Sequence, residues 1–263
     1  MKSICAPEQT RKAALFTLKF FVFTVIFTLC TVGYIYVFRS CGAETPPGDG
    51  NISVLSVSGS HFIIDAGHGG IDGGASAANG THEKELNLAL SFILRDILDI
   101  MGYDVVMTRT EDLMLSDGGS GSNKLCDLRT RINIAKANPD AILISIHMNK
   151  YPDTRISGLQ VWYSPNHPLG QTTARFIQND IKTYIAPHNN RKIKKADSNI
   201  YILDRIHNPA VLVECGFLSN VREAEQLSDD TYRRKLALVI AVAASHARSE
   251  RDQSQTDTQN HPS

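Results

Sequence analysis

The sequence predicts an α/β fold: a single domain with a mainly parallel, twisted β-sheet flanked by helices, preceded by an N-terminal transmembrane helix. Strand and helix signals alternate between residues 61 and 247, which is the pattern of a parallel sheet covered by helices. Several strand candidates are unbroken apolar runs, as expected of strands buried on both faces. An uncharged apolar stretch near the N-terminus accounts for the preceding helix.

Short apolar runs are the strand candidates, and longer segments between them are the helix candidates. The strands are predicted at 61–65, 103–108, 141–147, 159–163, 199–203 and 210–214, and the helices at 83–100, 128–137, 172–185 and 231–247. The first helix has apolar residues near a 3.6-residue period and is followed by Gly102, a natural stop. The second helix follows Asp127, a good N-cap, and ends before Asn138–Pro139.

The N-terminal apolar stretch is predicted to be an uncleaved membrane anchor. Residues 20–38 carry no charge, and the stretch is long enough to cross the hydrocarbon core as a helix. Basic residues precede it, so the positive-inside rule places the N-terminus in the cytoplasm and the chain after it outside. A cleaved signal peptide is the alternative, but the stretch is too long and 37–40 is a poor cleavage site. The residues before Cys41 do not form a lipobox, which disfavours a lipoprotein.

Composition divides the chain into successive segments. These are a cytoplasmic N-terminus at 1–12, a transmembrane signal-anchor at 13–38, a linker at 39–60, the folded domain at 61–247 and a disordered tail at 248–263. The linker is rich in Pro, Gly and Ser, and the tail has almost no apolar residues. A Gly- and Ser-rich insertion at 116–123 lies between a strand and a helix, at the sheet edge where ligands usually bind.

Charge and cysteine content exclude some classes of function. The chain has 263 residues and a formal net charge of +0, so nothing argues for a nucleic-acid partner, which needs a basic surface. Beyond the anchor lie Cys41, Cys126 and Cys215, an odd number without paired spacing, which is not a disulfide framework. Because no CxxC pair occurs, a cysteine-only zinc site is excluded. We interpret Cys215 as a core residue.

Ionisable residues stand at the carboxyl ends of predicted strands, where ligands of open α/β sheets bind. His68 follows the first strand candidate on a glycine turn, His147 closes the third and Glu214 closes the sixth. Glu83 opens the first helix, on the return from the His68 turn. Two histidines and a carboxylate are a common catalytic zinc set, and a further carboxylate is what hydrolysis needs as general base or acid. The glycines beside His68 leave room for a bound group near the backbone.

Each of these four residues also has a plainer interpretation. His68 and His147 can be satisfied histidines at a turn and at a strand end. Glu83 can be an acidic residue that favours the helix macrodipole, and Glu85 competes with it for the ligand role. Glu214 can be paired with an arginine, although a charge without a role at the end of an apolar run is costly.

Five motifs resemble the zinc-dependent N-acetylmuramoyl-L-alanine amidases, whose catalytic domain is often called amidase type 3. They are IDAGHGGIDGGA at 64–75, EKELNL at 83–88, LRTRINIAKAN at 128–138, SIHMN at 145–149 and VLVECGFLSN at 211–220, in the family's order over essentially all of residues 61–245. The resemblance implies one Zn²⁺ per chain, with His68, Glu83 and His147 as ligands. It makes Glu214 the catalytic carboxylate. The bond cut would join the lactyl group of N-acetylmuramic acid to L-alanine of peptidoglycan stem peptides.

Three further segments look like the spore-cortex subgroup of this family. They are NKLCDL at 123–128, GLQVWY at 158–163 and NRKIK at 190–194. That subgroup is membrane-anchored and germination-specific, and its members act on the way to muramic-δ-lactam, so the resemblance implies a role in sporulation. The alternatives are a vegetative cell-wall amidase for cell separation or remodelling, another zinc peptidase of the wall, and a non-hydrolytic wall-binding protein. The last is weak because all four site residues are present.

Other polar residues near the motifs have two interpretations each. Asp65 either orients a ligand histidine from behind or forms the turn. Arg129 and Arg131 either bind peptide carboxylates or belong to a solvated helix face. Asn149 is expected to fix a loop near the site.

The predicted location and partners follow from the anchor and the resemblance. We expect a single-pass cell-membrane protein with its catalytic domain on the extracellular side, facing the wall or the intermembrane space. Peptidoglycan is the expected substrate, the membrane is the partner of the N-terminal helix, and an activating protein partner is compatible with this arrangement.

Overall fold

The structure, a computed structural model, describes residues 61–115 and 123–260, and of 253–260 it describes the backbone only. The predicted anchor and linker, most of the insertion at 116–123 and the last three residues lie outside these ranges. Within them, no helix combines the length and apolarity that a membrane span requires.

A six-stranded sheet forms the centre of the described domain. Its strands are β1 (Phe62–Ala66), β2 (Val105–Met107), β3 (Ile142–Asn149), β4 (Gln160–Tyr163), β5 (Lys194–Lys195) and β6 (Ala210–Phe217), in the spatial order β2-β1-β3-β6-β4-β5. All neighbouring strands are parallel except β4 and β6. The chain returns from β3 to β4 without a crossover helix, and such a short connection reverses the strand direction. The predicted α/β domain is confirmed, and its sheet is mixed.

Helices cover both faces of the sheet. They are α1 (Glu83–Ile100), α2 (Asn123–Lys136), α3 (Pro168–Tyr184), α4 (Tyr201–Arg205), α5 (Val221–Ser228) and α6 (Asp230–Asn260). Phe62 and Ile64 of β1 belong to one apolar core with α1, α3 and α6, whereas Ile63 belongs to a second core with α2 and α4. Successive strand side chains point to opposite faces, so both faces of β1 are buried, as its apolar sequence predicts.

Residues 201–203 belong to helix α4 and residues 199–200 to the turn before it, so the prediction of a strand at 199–203 is wrong. The backbone N–H of Asn199 donates to the Asp197 carboxylate, and this turn leads directly into α4. Ile202 and Ile206, four residues apart, both pack into the second core. A short apolar run has no periodicity that separates a strand from a buried helical turn.

The second helix begins earlier than predicted, at Asn123 instead of 128. Asp127 lies inside it and does not act as its N-cap. Its carboxylate is 2.7 Å from Nε of Arg131, one turn later, and it accepts a hydrogen bond from the backbone N–H of Leu115. The short elements β5 and α5 were not predicted.

The last helix continues to Asn260, beyond residue 247, where a disordered tail was expected to begin. Nη1 of Arg248 donates to the carbonyls of His61 and Asp140 at 3.1 Å. Arg251 donates to the carbonyl and the carboxylate of Asp140. These contacts tie the polar end of α6 to the amino ends of β1 and β3, which composition alone did not reveal.

Candidate active site

The carboxyl ends of three adjacent parallel strands place the predicted site residues at one edge of the sheet. In the β3–β6 register His147 lies opposite Glu214, and in the β1–β3 register Ala66 lies opposite Ile146. The backbone N–H of Gly67 donates to the carbonyl of Ile146, which holds the turn after β1 against the end of β3. The His68 turn therefore begins beside the strand that carries His147.

His68, Glu83 and His147 converge on one point. Nε2 of His68 lies 3.2 Å from Glu83 Oε1, and Nδ1 of His147 lies 2.9 Å from the same oxygen. One ligand atom from each residue falls within 4.8 Å of the other two. Two imidazoles and a carboxylate in this arrangement are a donor set that zinc accepts.

Glu83, the first residue of α1, is the buried member of this set, with 3% of its surface exposed. Its Oε1 accepts from the backbone N–H of Met148, and its Oε2 accepts from that of Ala75. Burial opposes ionisation, but contact with the two imidazoles holds the pKa of Glu83 well below its usual range. Glu85, the competing candidate, is exposed. The carboxylate is therefore ionised and fixed by the backbone before any ligand arrives.

The other side of the His68 ring faces Asp72. Asp72 Oδ2 lies 3.0 Å from His68 Nδ1, and the opposite carboxylate oxygen of Asp72 accepts from the backbone N–H of Gly74. Burial lowers the pKa of His68, but the carboxylates of Glu83 and Asp72 raise it above its usual value. The contact is an ion pair without hydrogen-bond geometry, since His68 Nδ1 has no hydrogen-bond partner among the described residues. Asp72 was not predicted, although an acidic residue four positions after a turn histidine is visible in the sequence.

Two glycines make room for the ligand side chains. A Cβ on Gly67 would lie 2.3 Å from Cε1 and Nε2 of His147. A Cβ on Gly74, whose φ is +66°, would lie 2.6 Å from Glu83 Oε2 and 2.8 Å from His68 Cδ2. The space that these glycines leave is filled by the protein's own ligand residues, so the expectation of room for a bound group is corrected.

Glu214 lies beside the cluster in a cleft of about 250 Å³ that is also lined by His68, His147 and Tyr201. Its Oε2 is buried and has no hydrogen-bond partner among the described residues. Burial and the charge of Glu83 raise the pKa of Glu214, against the opposing effect of the two imidazoles. No arginine pairs with this carboxylate in the described part of the chain. Glu214 as a residue is half-buried, and a carboxylate in a cleft with a buried, unpaired oxygen and a raised pKa is suited to proton transfer.

Asp65 does not contact either histidine through a hydrogen bond, which corrects its predicted orienting role. It is 1% exposed and accepts from the hydroxyls of Thr108 and Ser145 at 2.8 and 2.6 Å. Asp65 also accepts a hydrogen bond from Nη1 of Arg131. Asp65 is thus the centre of a buried network beneath the cleft.

Arg131 is not available to substrate. It is 2% exposed, and its donors are occupied by Asp65, Asp127 and the carbonyls of Ala66 and His68. This corrects both predicted interpretations, peptide binding and a solvated face. The sequence did not show that Asp65 of β1 would be buried, and it therefore gave no sign that Arg131 would turn inward to pair with it.

Arg129 and Asn149 lie outside the lining of the cleft as the structure describes it. Arg129 is exposed on α2. Asn149 ends β3, where its carbonyl accepts from Leu218 N–H and its side chain from Lys150 N–H. These two hydrogen bonds join the end of β3 to Leu218 and to the following residue. Cys215 is buried in the first core, as predicted.

Comparison with known proteins gives consistent similarities. A family model described as N-acetylmuramoyl-L-alanine amidase matches residues 62–246. The germination-specific N-acetylmuramoyl-L-alanine amidase of Bacillus subtilis (strain 168) is 34% identical over 189 residues, covering 71% of this chain and 78% of that protein.

Solved structures resemble the described domain as well. The CwlD amidase from Clostridioides difficile, solved in complex with the GerS lipoprotein, has a TM-score of 0.68 at 33% identity and covers 72% of this chain and 98% of that one. AmiC2 of Nostoc punctiforme has a TM-score of 0.62 at 27% identity, with coverages of 72% and 97%.

Proposed function

The chain belongs to the N-acetylmuramoyl-L-alanine amidase family, and from this premise we propose that it is a zinc-dependent enzyme of spore-cortex maturation. Its activity is that of the family, hydrolysis of the amide between N-acetylmuramic acid and L-alanine. The zinc dependence and the cortex role are the parts that go beyond family membership. Each is supported by a separate observation.

The donor set supports zinc. His68, Glu83 and His147 are the residues that would hold the ion, because their ligand atoms already converge. Glu83 is ionised and held by two backbone N–H groups, so it does not have to be ordered on binding. Three protein ligands leave a coordination position for water or substrate, which is the arrangement of catalytic zinc sites. When bound there, zinc supplies a Lewis acid that polarises the scissile carbonyl and acidifies water.

Glu214 supplies the proton transfer. It accepts the proton of the attacking water and returns it to the amine nitrogen of L-alanine as the amide bond breaks. Its position in the cleft, its buried and unpaired Oε2 and its place opposite His147 in the sheet register favour this role. The observation that carries the proposal is this carboxylate with a buried, unpaired oxygen beside a His–Glu–His donor set.

Substitution of Glu214 separates catalysis from metal binding. We expect Glu214→Gln to keep its zinc and to release stem peptides from cortical sacculi about 10²–10⁴-fold more slowly, since general acid–base catalysis contributes that much. Purified full-length protein is incubated with sacculi, muropeptides are followed by mass spectrometry, and zinc is measured by elemental analysis. His68→Ala should lose zinc and activity together. Glu85→Gln removes an exposed carboxylate in the first turn of α1, two residues from Glu83, and should change neither the zinc content nor the activity.

Three results would count against this proposal. Full activity of Glu214→Gln would remove Glu214 from the reaction. Unchanged zinc content in His68→Ala would remove His68 from the ligands. Release of anything other than the whole stem peptide from muramic acid would indicate a different wall peptidase.

The cortex role rests on similarity to a named relative. The Bacillus subtilis protein that is 34% identical to this chain is named germination-specific. The CwlD amidase is 33% identical to this chain, and the structural match covers 98% of the CwlD chain. We propose that this chain likewise removes stem peptides on the way to muramic-δ-lactam.

Location and partner are proposed on similar grounds. The apolar segment at 13–38, which lies outside the described residues, would anchor the enzyme with its domain on the extracellular side. Because CwlD was solved in complex with the GerS lipoprotein, we propose that a protein partner also assists this chain.

A further inference from the structure

We propose that two buried arginines, Arg109 and Arg131, form a clamp on the backbone of residues 66–68 and thereby hold His68 ready for metal. The inference rests on the proposed zinc centre. It assigns the arginines as positioning residues, because neither contacts the ligand side chains. They act on carbonyl groups of the turn that carries the first ligand.

Arg131 approaches the turn from α2. Its Nη1 donates to the carbonyl of Ala66 and its Nη2 to the carbonyl of His68, both at 2.8 Å. The remaining donors are held by the carboxylates of Asp65 and Asp127. The guanidinium is therefore fixed from both sides, with one edge on its carboxylate partners and the other on the metal-ligand turn.

Arg109 approaches the same turn from the segment after β2. Nε donates to the carbonyl of Ala66 at 2.9 Å, and Nη2 donates to the carbonyls of Gly67 and Lys84 at 3.0 and 2.9 Å. Arg109 is 3% exposed, and its hydrogen-bond acceptors among the described residues, which include the carbonyl of Glu111, are all backbone carbonyls. Lys84 directly follows Glu83, so this one side chain connects the turn of His68 to the start of the helix that bears Glu83.

The conformation of His68 shows why the turn needs such support. His68 has φ of +60°, the one left-handed conformation at a non-glycine residue among those described. A residue other than glycine is strained in this region, and such residues persist only where their surroundings over-determine them. The carbonyl of residue 66 accepts from both guanidinium groups, that of residue 67 from Arg109 and that of residue 68 from Arg131. The clamp thus fixes the backbone on both sides of the strained residue.

Arginine suits this task better than lysine. Its planar guanidinium presents five donors in a fixed fork, whereas an ammonium presents three donors on a flexible stem. A lysine at either position keeps the charge, but its three donors share one nitrogen atom and cannot reach all the carbonyls that the separate nitrogens of the guanidinium reach. Arg→Lys variants therefore test the geometry of the clamp without removing its charge.

Arg248 provides a matched control. It also donates from one guanidinium to two backbone carbonyls, those of His61 and Asp140, but at the opposite end of β1 from His68. We compare Arg131→Lys, Arg109→Lys and Arg248→Lys in the full-length chain. Zinc affinity is measured by competition with a chromophoric chelator, and urea unfolding is measured on the same samples.

We expect Arg131→Lys and Arg109→Lys to bind zinc about 10–100-fold more weakly, which is the usual effect of losing a group that orients a ligand. Arg248→Lys should bind zinc like the wild type, even if it is less stable. A second readout uses metal-free protein: hydrogen exchange in the peptide that contains the amides of Gly67, Gly69 and Gly70, which are hydrogen-bonded in the turn. Exchange should become faster in the two clamp variants and not in Arg248→Lys.

Equal zinc affinity and equal exchange in all three variants would overturn the clamp. A wild-type chain that binds no zinc would overturn the proposed metal centre instead, and the exchange measurement would still decide whether the arginines hold the turn. If one clamp variant does not fold, the other is compared with Arg248→Lys in the same way.

Discussion

At the scale of single residues, the position of His147 requires that residue 67 is a glycine. The sequence placed a glycine before His68 and a histidine at the end of a distant strand. Because neighbouring parallel strands bring these positions together, the imidazole of His147 lies where a side chain on residue 67 would be. The glycine is required by a ligand from elsewhere in the chain, which no local pattern could indicate.

Gly67→Ala is expected to displace the His147 ring. The added Cβ would lie 2.3 Å from Cε1 and Nε2, closer than any allowed contact, so His147 must move. We expect a stability loss of about 1–3 kcal/mol, as for other overpacked sites, together with weaker zinc binding. Urea unfolding and zinc competition measure the two effects. Gly80→Ala is the control, since nothing lies within 4 Å of its added Cβ. Gly80→Ala should be less stable, because its φ of +88° is strained for alanine, but it should keep its zinc. A Gly67→Ala protein with wild-type zinc affinity would contradict the prediction.

Arg131 shows where sequence interpretation fails for a single side chain. The motif LRTR places two arginines two positions apart on a helix, so they point in different directions. Arg129 is exposed, whereas Arg131 is buried and forms an ion pair with Asp65. Which of them turns inward depends on the rotation of α2 relative to the sheet, and that rotation is set by packing.

At the scale of secondary structure elements, the long periodic segments were predictable and the short ones were not. The helix at 83–100 was predicted with the bounds that it has, because its apolar residues repeat over several turns. The run at 199–203 is too short to show a period, and it became a helix through the turn at Asp197 and the packing of Ile202. Elements of a few residues depend on their contacts.

The end of α6 depends on contacts in the same way. We expect a chain that stops after Ala247 to be about 1–3 kcal/mol less stable than one that stops after Asp252, because the first lacks the hydrogen bonds of Arg248 and Arg251 to the amino ends of β1 and β3. Urea unfolding of both truncated proteins measures the difference. Equal stability of the two would show that the polar end of the helix adds nothing.

At the scale of the whole molecule, the buried Asp65–Arg131 pair links β1 to α2 beneath the cleft. Burial opposes ionisation of Asp65, but Arg131 and the Ser145 hydroxyl hold its pKa below the usual value. The folded pKa is therefore lower than the unfolded pKa of about 3.9. This pair contributes its full stability above pH of about 4, and the contribution is lost as the pH falls through the lower folded pKa.

Asp65→Asn tests this dependence of stability on pH. At pH 7 the variant should be about 3–5 kcal/mol less stable, because breaking a buried pair leaves part of the Arg131 charge uncompensated. At pH 3 the difference should be smaller, because unfolded wild-type protein then binds a proton on Asp65 that folding has to release. Urea unfolding at both pH values, with a chelator present to remove metal effects, measures it. A difference that is the same at pH 7 and pH 3 would exclude Asp65 as the titrating group.

The sequence by itself determined the class of fold, the family and the positions of His68, Glu83, His147 and Glu214. It could do so because strand ends, glycine turns and motifs in order along the chain are local features. Only the tertiary structure decided that Asp72 stands behind His68 and that the arginines support the backbone of the turn. These outcomes depend on the register of strands and the rotation of helices, which are set by packing between residues far apart in the chain.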